Sequence, residues 1–213
     1  DESILGEHGK LAIVDDEGVS FTSHIDGTLY RFTPERSVEI QHNLGADIFF
    51  AFDECTSPDA PYEYQKEAMD RTHVWAERSL YAHRQNLDTK QAIFGIVQGG
   101  RYEDLREESS KKLGSMNFDG YGIGGSFSKE DLGKALAAGL VHLPEEKPRH
   151  LLGIGEPIDM FEGVEHGIDT FDCVAATRLA RNGTVYTLDG PIDLTKSAYK
   201  EDMRKIDEEL PDS

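Results

Sequence analysis

The chain of 213 residues carries a formal net charge of −19 and is 38% hydrophobic, which allows one domain with a sizeable core. No apolar stretch approaches the roughly 20 residues that a membrane-spanning helix needs, and residues 1–10 show no signal-peptide pattern, so we expect no membrane partner. The acidic average disfavours a nucleic-acid partner, which needs at least a local basic patch, although acidity is also typical of high-salt hosts.

Strand-like and helix-like segments alternate along the chain. The strand-like runs at 20–25 and 29–32 flank Asp26-Gly27-Thr28, in which the Asp-Gly pair predicts a hairpin. Thr33 followed by Pro34 is typical of a helix start, and Gly45 is typical of its end. Further helices are predicted at residues 62–85, 103–116, 128–143, 157–166 and 199–210, whereas residues 174–190 are predicted to form a loop.

Each apolar strand-like run ends at a residue that could carry chemistry. The runs are 46–52 before Asp53, 93–97 before Gln98, 120–123 before Gly124-Gly125, 150–152 before Gly153, and 169–171 before Asp172. Strands that alternate with helices predict a parallel sheet with right-handed crossovers. Because the carboxyl ends of parallel strands share one edge, we expect these residues to converge in one enzyme site.

The residues at the strand ends allow more than one interpretation. Asp172 could act as a nucleophile, a base or a metal ligand, but it could also cap a helix or pair with Arg178. Asp53 follows an uninterrupted apolar run, which favours a functional role, although it could also cap the next segment. The glycine pairs could bring the backbone close to a phosphate or a planar base, or could simply form turns.

Basic and sulfur-containing residues add further candidates. Arg178 and Arg181 directly follow the Asp172 strand, so they could bind a phosphate-bearing substrate or pair with the many local acids. Cys173 is a rival nucleophile, although a buried small apolar role is commoner. Cys55 and Cys173 are the two cysteines, a number that favours a reduced cytoplasmic protein over a disulfide scaffold. Without a nearby histidine pair they predict no zinc site.

Seven segments of the chain resemble the tRNA-guanine transglycosylases, also called queuine tRNA-ribosyltransferases, in their bacterial form. The matching strings are VSFTSHIDG, TPERSVEIQHNLG, ADIFFAFDECT, GIVQGGRYEDLR, FDGYGIGG, LPEEKPRHLLGIG and GIDTFDCVAATRLARNGTVYT. The resemblance runs from about residue 18 to 210, whereas residues 1–17 match poorly. The resemblance implies a (β/α)₈ TIM-type barrel, for which the chain is short of the typical length of about 250 residues.

The resemblance also implies the activity and the role of each site residue. The family exchanges the wobble guanine of tRNA for a 7-deazaguanine, queuine or its precursor, through a covalent ribosyl-aspartate. Asp172 matches the catalytic nucleophile, and Arg178 and Arg181 match residues that contact the tRNA backbone. The substrate-binding positions that match are Asp53, Cys55, Gln98, Gly124, Gly125, Glu130 and Leu152, with Tyr102 as a further stacking surface.

Departures from the family pattern keep two other functions open. The upstream Asp-Ser-Gly-Gly-Phe-Gln segment that carries the family's general acid/base is absent, as is the downstream Cys-x-Cys-x-x-Cys and His zinc site. We therefore expect an incomplete barrel that lacks its first strands, with zinc only in the complete family member. The first alternative is a chain without catalytic activity, either a non-catalytic tRNA-binding partner subunit or an inactive truncated member. The second is a barrel enzyme that acts on a small sugar phosphate. A homodimer or a partner subunit is expected to cover the open sheet edges.

Overall fold

The fold is an α/β arrangement seen in a computed structural model that describes residues 12–124, 127, 129–203 and 205. Its strands are β1 Ala12–Asp15, β2 Gly18–Thr22, β3 Leu29–Phe32, β4 Ile48–Phe50, β5 Ala92–Val97, β6 Gly120–Ile123, β7 Arg149–Leu151, β8 Thr170–Phe171, β9 Thr184–Thr187 and β10 Gly190–Asp193. Its helices are α1 Pro34–Leu44, α2 Tyr62–Arg84, α3 Glu103–Gly114, α4 Leu132–Leu140, α5 Pro157–Glu165 and α6 Ala175–Arg181.

The central element is a five-stranded parallel sheet in the order β4-β5-β6-β7-β8. Neighbouring strands pair in register, from Ile48 opposite Ala92 at one side to Leu151 opposite Phe171 at the other. A helix follows each of the five strands, as in a run of β/α units of a barrel. The predicted parallel α/β architecture is therefore confirmed, and the carboxyl ends of the five strands lie along one edge.

The segment before this sheet forms a three-stranded antiparallel sheet in the order β1-β2-β3, which leads into α1. Strands β2 and β3 pair from Val19 opposite Phe32 to Thr22 opposite Leu29, which confirms the hairpin while ending its first strand three residues before the predicted end. The Thr33 side chain accepts a hydrogen bond from the backbone N–H of Arg36 at 3.2 Å. Gly45, at φ 72°, ends α1 in the left-handed conformation, as its lack of a Cβ permits.

The core lies between the sheet and the helices α2, α3 and α4. The buried side chains include Ile93 and Val97 of β5, Leu113 of α3 and Leu136 of α4. The single tryptophan, Trp75, is fully buried on α2. Within the described residues, no helix combines the length and the apolar character that crossing a membrane requires.

Two predicted segments differ in the structure. Residues 174–190, predicted as a loop, contain α6, β9 and the start of β10, and the two strands pair antiparallel. The turn between β9 and β10 places Gly190 at φ 111°, which suits glycine. The predicted helix at 199–210 is wrong over its described part, because a single 3-10 turn, Ser197–Tyr199, replaces it and residues 202 and 203 are not helical.

Candidate functional site

Asp53 and Gln98 form a hydrogen-bonded pair across the ends of β4 and β5. The amide Nε2 of Gln98 donates to Oδ2 of Asp53 at 2.6 Å. Burial raises the pKa of Asp53 to about 6, the Gln98 bond opposes that change, and the negative charge of Glu54 adds to it. The pair therefore presents a desolvated carboxylate beside an amide, a combination that can bind the polar edge of a planar ligand.

Gly124 lies next to this pair, at the end of β6. A Cβ built on Gly124 would come within 3.0 Å of Nε2 of Gln98 and 2.7 Å of a methyl carbon of Ile96, so a side chain here would displace the amide. The carbonyl oxygen of Gly124 accepts from Nη2 of the fully buried Arg106 at 2.9 Å. The same guanidinium donates through Nε to the carbonyl of Gly100 at 2.5 Å. Arg106 thus ties together the loops that follow β5 and β6.

Asp172 lies at the opposite side of the same edge, after β8. Its Oδ1 accepts from the backbone N–H of Gly153 at 3.0 Å and lies 3.0 Å from Nε2 of His150. The other ring nitrogen of His150 lies 2.8 Å from the hydroxyl of Thr170. Partial burial raises the pKa of Asp172, but the bonds from His150 and Gly153 outweigh it and lower the pKa below its ordinary value. The side chain remains 56% exposed, so an ionised carboxylate faces solvent.

Apolar side chains connect the two halves of the edge. The ring of Phe50, on β4, lies 5.4 Å from the ring of His150. It also packs against Gly122, where a built Cβ would lie only 2.8 Å from a ring carbon of Phe50. Leu152, after β7, approaches the same position, with its methyl carbon 3.1 Å from a Cβ built on Gly122. The five strand ends therefore form one continuous surface, with the Asp53–Gln98 pair at one side and Asp172 at the other.

The remaining predicted substrate-binding residues lie in the segments that follow β4, β5 and β6, or outside the described residues. Cys55 is exposed two residues after Asp53, and Glu130 is exposed in a 3-10 turn before α4. Tyr102 packs edge-on against Tyr62, with ring centroids 5.0 Å apart. Gly125, predicted to offer a backbone N–H, lies outside the described residues.

The rival nucleophile and the two candidate phosphate-binding residues follow β8 directly. Cys173 is partly buried. A Cβ built on Gly155 would lie 2.9 Å from the Cβ of Cys173, so Cys173 packs tightly against the loop that follows β7. Arg178 and Arg181 project from α6, and both are exposed. Neither forms a salt bridge with any residue that the structure describes, so pairing with local acids does not occupy them there.

A metal ion has no ligand set in the described part of the chain. No group of three or more His, Cys, Asp or Glu side chains is arranged there to hold one. Zinc, which the resemblance implies for complete family members, is therefore assigned to no residue of this part, and no step of the reaction proposed below uses it.

Two residues of the site were not singled out from the sequence. His150 contacts Asp172, although the two are 22 residues apart, and Arg106 holds the glycine loops. A signal for His150 was present, since it alternates with Leu152 on one face of a strand-like run. No local pattern identifies Arg106, because an arginine in a helix is normally exposed.

Comparisons with known proteins agree on one family. The family model described as queuine tRNA-ribosyltransferase matches residues 4–211. The curated queuine tRNA-ribosyltransferases of Thermoanaerobacter sp. (strain X514) and Bacillus subtilis (strain 168) are 47% and 44% identical to the chain, and each alignment covers 98% of it. That of Fusobacterium nucleatum is 48% identical over 94% of the chain. The chain spans 58%, 57% and 55% of the length of these three relatives.

Proposed function

This chain belongs to the queuine tRNA-ribosyltransferase family, and from that premise we propose that the protein exchanges a guanine base of tRNA for a 7-deazaguanine in the cytoplasm. One observation carries the proposal. An ionised, exposed carboxylate, Asp172, lies on the same sheet edge as the paired Asp53 and Gln98. A glycosyl transfer with retention needs both parts, a nucleophile for the anomeric carbon and a recognition site for the base.

In the first displacement, Asp172 attacks C1′ of the target ribose. A bond forms between a carboxylate oxygen and C1′, while the C1′–N9 bond breaks and its electron pair leaves with guanine, which then takes up a proton. The N–H of Gly153 and the ring of His150 hold one carboxylate oxygen and keep the group ionised. Its negative charge stabilises the oxocarbenium-like transition state.

In the second displacement, the incoming base releases the enzyme. Its N9 attacks C1′ and loses a proton, and the bond between C1′ and the carboxylate oxygen breaks. The two steps restore the original configuration at C1′. Because both bases pass through the same pocket, the recognition residues must accept guanine and the deazaguanine alike.

The base is recognised by the residues at the other side of the edge. With Oδ2 of Asp53 held by Gln98, the carboxylate can accept from N–H groups of the purine edge, while Gln98 and the backbone N–H of Gly125 supply donors for its carbonyl. Leu152 supplies an apolar surface for the ring, with Cys55 and Glu130 at the margin. The target nucleotide leaves the base stack to reach this pocket.

The tRNA backbone is held by α6. Arg178 and Arg181 are exposed on a helix that has no acidic residue, which gives an acidic protein a local basic surface. Phosphates on either side of the flipped nucleotide would lie close to Asp172, since α6 begins three residues after it. This placement supports a tRNA substrate in spite of the net charge of −19.

Trapping the covalent intermediate tests this function. The full-length protein is incubated with tRNA and a slowly reacting base analogue and run on a denaturing gel. We expect a protein–tRNA band that is absent in Asp172→Ala and Asp172→Asn, because an amide is a far weaker nucleophile. Asp169→Asn is the matched control, since Asp169 lies at the other end of β8, where it accepts from the N–H of Arg149 at 2.8 Å.

Each outcome of the trapping experiment is informative. A band that persists in Asp172→Ala would place the nucleophile elsewhere, with Cys173 the first to test. Wild-type protein that binds tRNA but incorporates no labelled guanine, alone or with a full-length homologue, would refute catalysis. A non-catalytic partner subunit would then be the better description. Turnover of a free sugar phosphate would favour the third function.

A further inference from the structure

The segment that carries Asp53 runs beyond the sheet and pairs with no strand among the residues that the structure describes. The last ladder bond of β4 joins the N–H of Ala51 to the carbonyl of Phe94 at 2.8 Å, and residues 51–57 form no strand. Backbone N–H groups that are removed from water need other acceptors, because an unpaired buried donor destabilises the folded state. Here side chains of α2 provide them.

Three polar side chains on α2, seven residues apart, bond this segment. We call Gln65, Thr72 and Ser79 the polar stripe. The hydroxyl of Ser79 accepts from the N–H of Phe52 at 3.2 Å, and that of Thr72 accepts from the N–H of Glu54 at 3.0 Å. Gln65 accepts from the Thr56 hydroxyl at 2.5 Å and donates to the carbonyl of Ser57 at 2.9 Å.

Burial and spacing make the polar stripe unusual for a helix. Residues seven apart lie almost two full turns apart on one face, and all three members are buried, with Thr72 and Ser79 fully inaccessible. Serine and threonine are only moderate helix formers, and a helix face against a core normally carries apolar side chains. The bonds to the segment at 52–57 explain why hydroxyls occupy these positions.

The side chains of the segment alternate in direction. The ring of Phe52 stacks on Trp75 of α2 at 4.9 Å. The carboxylate of Glu54 accepts from the hydroxyl of Tyr64 at 2.6 Å and pairs with Arg71, both also on α2. With Thr56 bonded to Gln65, every second side chain therefore faces α2. In an extended chain the residues between them point the opposite way, which directs Asp53 toward Gln98.

We propose that the polar stripe positions Asp53 for base binding by acting as a surrogate strand, an inference that rests on the function proposed above. Its hydroxyls continue the pairing of β4 past the end of the sheet. The extended conformation that results fixes which face of the chain Asp53 occupies. The stripe touches neither base nor ribose, so its members are positioning residues.

Thr72→Val tests the proposal, because valine keeps the shape of threonine and removes the acceptor for the N–H of Glu54. Thr72→Ser restores the hydroxyl. Ser110→Ala is the matched control: Ser110 is equally buried, and its hydroxyl accepts from the N–H of His142 at 3.1 Å, in the loop that follows α4. Ser79→Ala replaces Thr72→Val if that variant does not fold, as judged by Trp75 fluorescence.

Two measurements on the full-length protein are made for each variant. Amide hydrogen exchange of a peptide that covers residues 52–57 reports the segment, and steady-state base exchange reports its use. For Thr72→Val we expect at least about 10-fold faster exchange of one amide, the equivalent of one lost hydrogen bond. KM for guanine should rise about 10-fold, with kcat and the KM for tRNA changed by less than about 3-fold. Thr72→Ser and Ser110→Ala should retain wild-type values in both measurements at this segment.

The two measurements can refute different parts of the proposal. Unchanged amide exchange in Thr72→Val would refute the surrogate strand. Faster amide exchange with an unchanged KM for guanine would refute positioning, as would an equal rise of that KM in Ser110→Ala. A wild-type protein with no base exchange would refute the proposed function, while the amide measurement would still decide whether the stripe holds the segment.

Discussion

Replacing Asp53 with asparagine should stabilise the protein and inactivate it at the same time. The environment raises the pKa of this carboxyl from 3.8 to about 6, chiefly by burial. A raised carboxyl pKa means that ionisation opposes folding. The contribution of the protonated carboxyl to the free energy of unfolding is fully present below pH 3.8. It is lost as the pH rises from there through about 6. At about 1.36 kcal/mol per pKa unit, the loss at pH 7 is about 3 kcal/mol.

Asparagine removes this loss and keeps the shape of the side chain. Its amide oxygen can still accept from Nε2 of Gln98, which lies 2.6 Å from the carboxylate in the wild type. We therefore expect Asp53→Asn to be more stable than wild type by up to about 3 kcal/mol at pH 7 and by about 1.5 kcal/mol at pH 5. This difference in stability, which grows as the pH rises from 5 to 7, is the signature of the carboxyl group.

Urea unfolding followed by the fluorescence of the single tryptophan measures the difference. Trp75 stacks on Phe52, next to the altered residue, at 4.9 Å, so it reports the folded state of this region. Burial lowers the pKa of His73 to about 4, which makes both proteins less stable as the pH falls below 6.5. Because that effect is common to both, the comparison uses the difference between variant and wild type at each pH.

The same variant should also lose activity. Losing a charged, partly buried acceptor should lower kcat/KM for guanine exchange by at least about 100-fold, equivalent to about 3 kcal/mol. An Asp53→Asn protein that is less stable than wild type at pH 7, with no change of the difference toward pH 5, would contradict a raised pKa. Near-wild-type exchange would remove Asp53 from the base-binding site.

Three further changes test other parts of the site. His150→Phe should raise the pKa of Asp172 by removing one of the bonds that lowers it, so the midpoint of the Asp172 carboxyl in an NMR titration should move to higher pH; an unmoved midpoint would contradict the role of this ring. The double variant Arg178→Ala and Arg181→Ala should weaken tRNA binding and reduce its salt slope by about two, and an unchanged slope would show that these arginines bind no phosphate. Gly124→Ala should raise the KM for guanine without loss of tRNA binding, since its Cβ would lie 3.0 Å from Nε2 of the neighbouring glutamine; an unchanged KM would place the base elsewhere.

Local patterns were sufficient to predict most helices and strands of the fold. Thr33 and Pro34 start α1 and Gly45 ends it, because capping depends on a few adjacent residues. The five parallel strands were predicted because each is a short apolar run that ends at a glycine or a polar residue. The same alternation with helices predicted that Asp53, Gln98 and Asp172 share one edge, since a parallel sheet places every strand end there.

Other features depend on contacts between distant segments. The strands β9 and β10 are stabilised by pairing with each other, and α6 is too short to form by itself in water, so residues 174–190 show little local pattern. His150 reaches Asp172 only because Leu151 pairs in register with Phe171, and a shift by one residue would turn its ring to the other face.

The sequence by itself therefore determined which residues end the strands, and the family resemblance predicted their chemistry. Only the tertiary structure decided how each side chain is directed. The polar stripe on α2 shows the physical reason. The role of Thr72 and Ser79 becomes evident only from their contacts with the segment at 52–57. A buried hydroxyl stabilises the fold only if it has a hydrogen-bond partner, here a backbone N–H that is distant in sequence. The pattern of residues along the helix does not show where that partner lies.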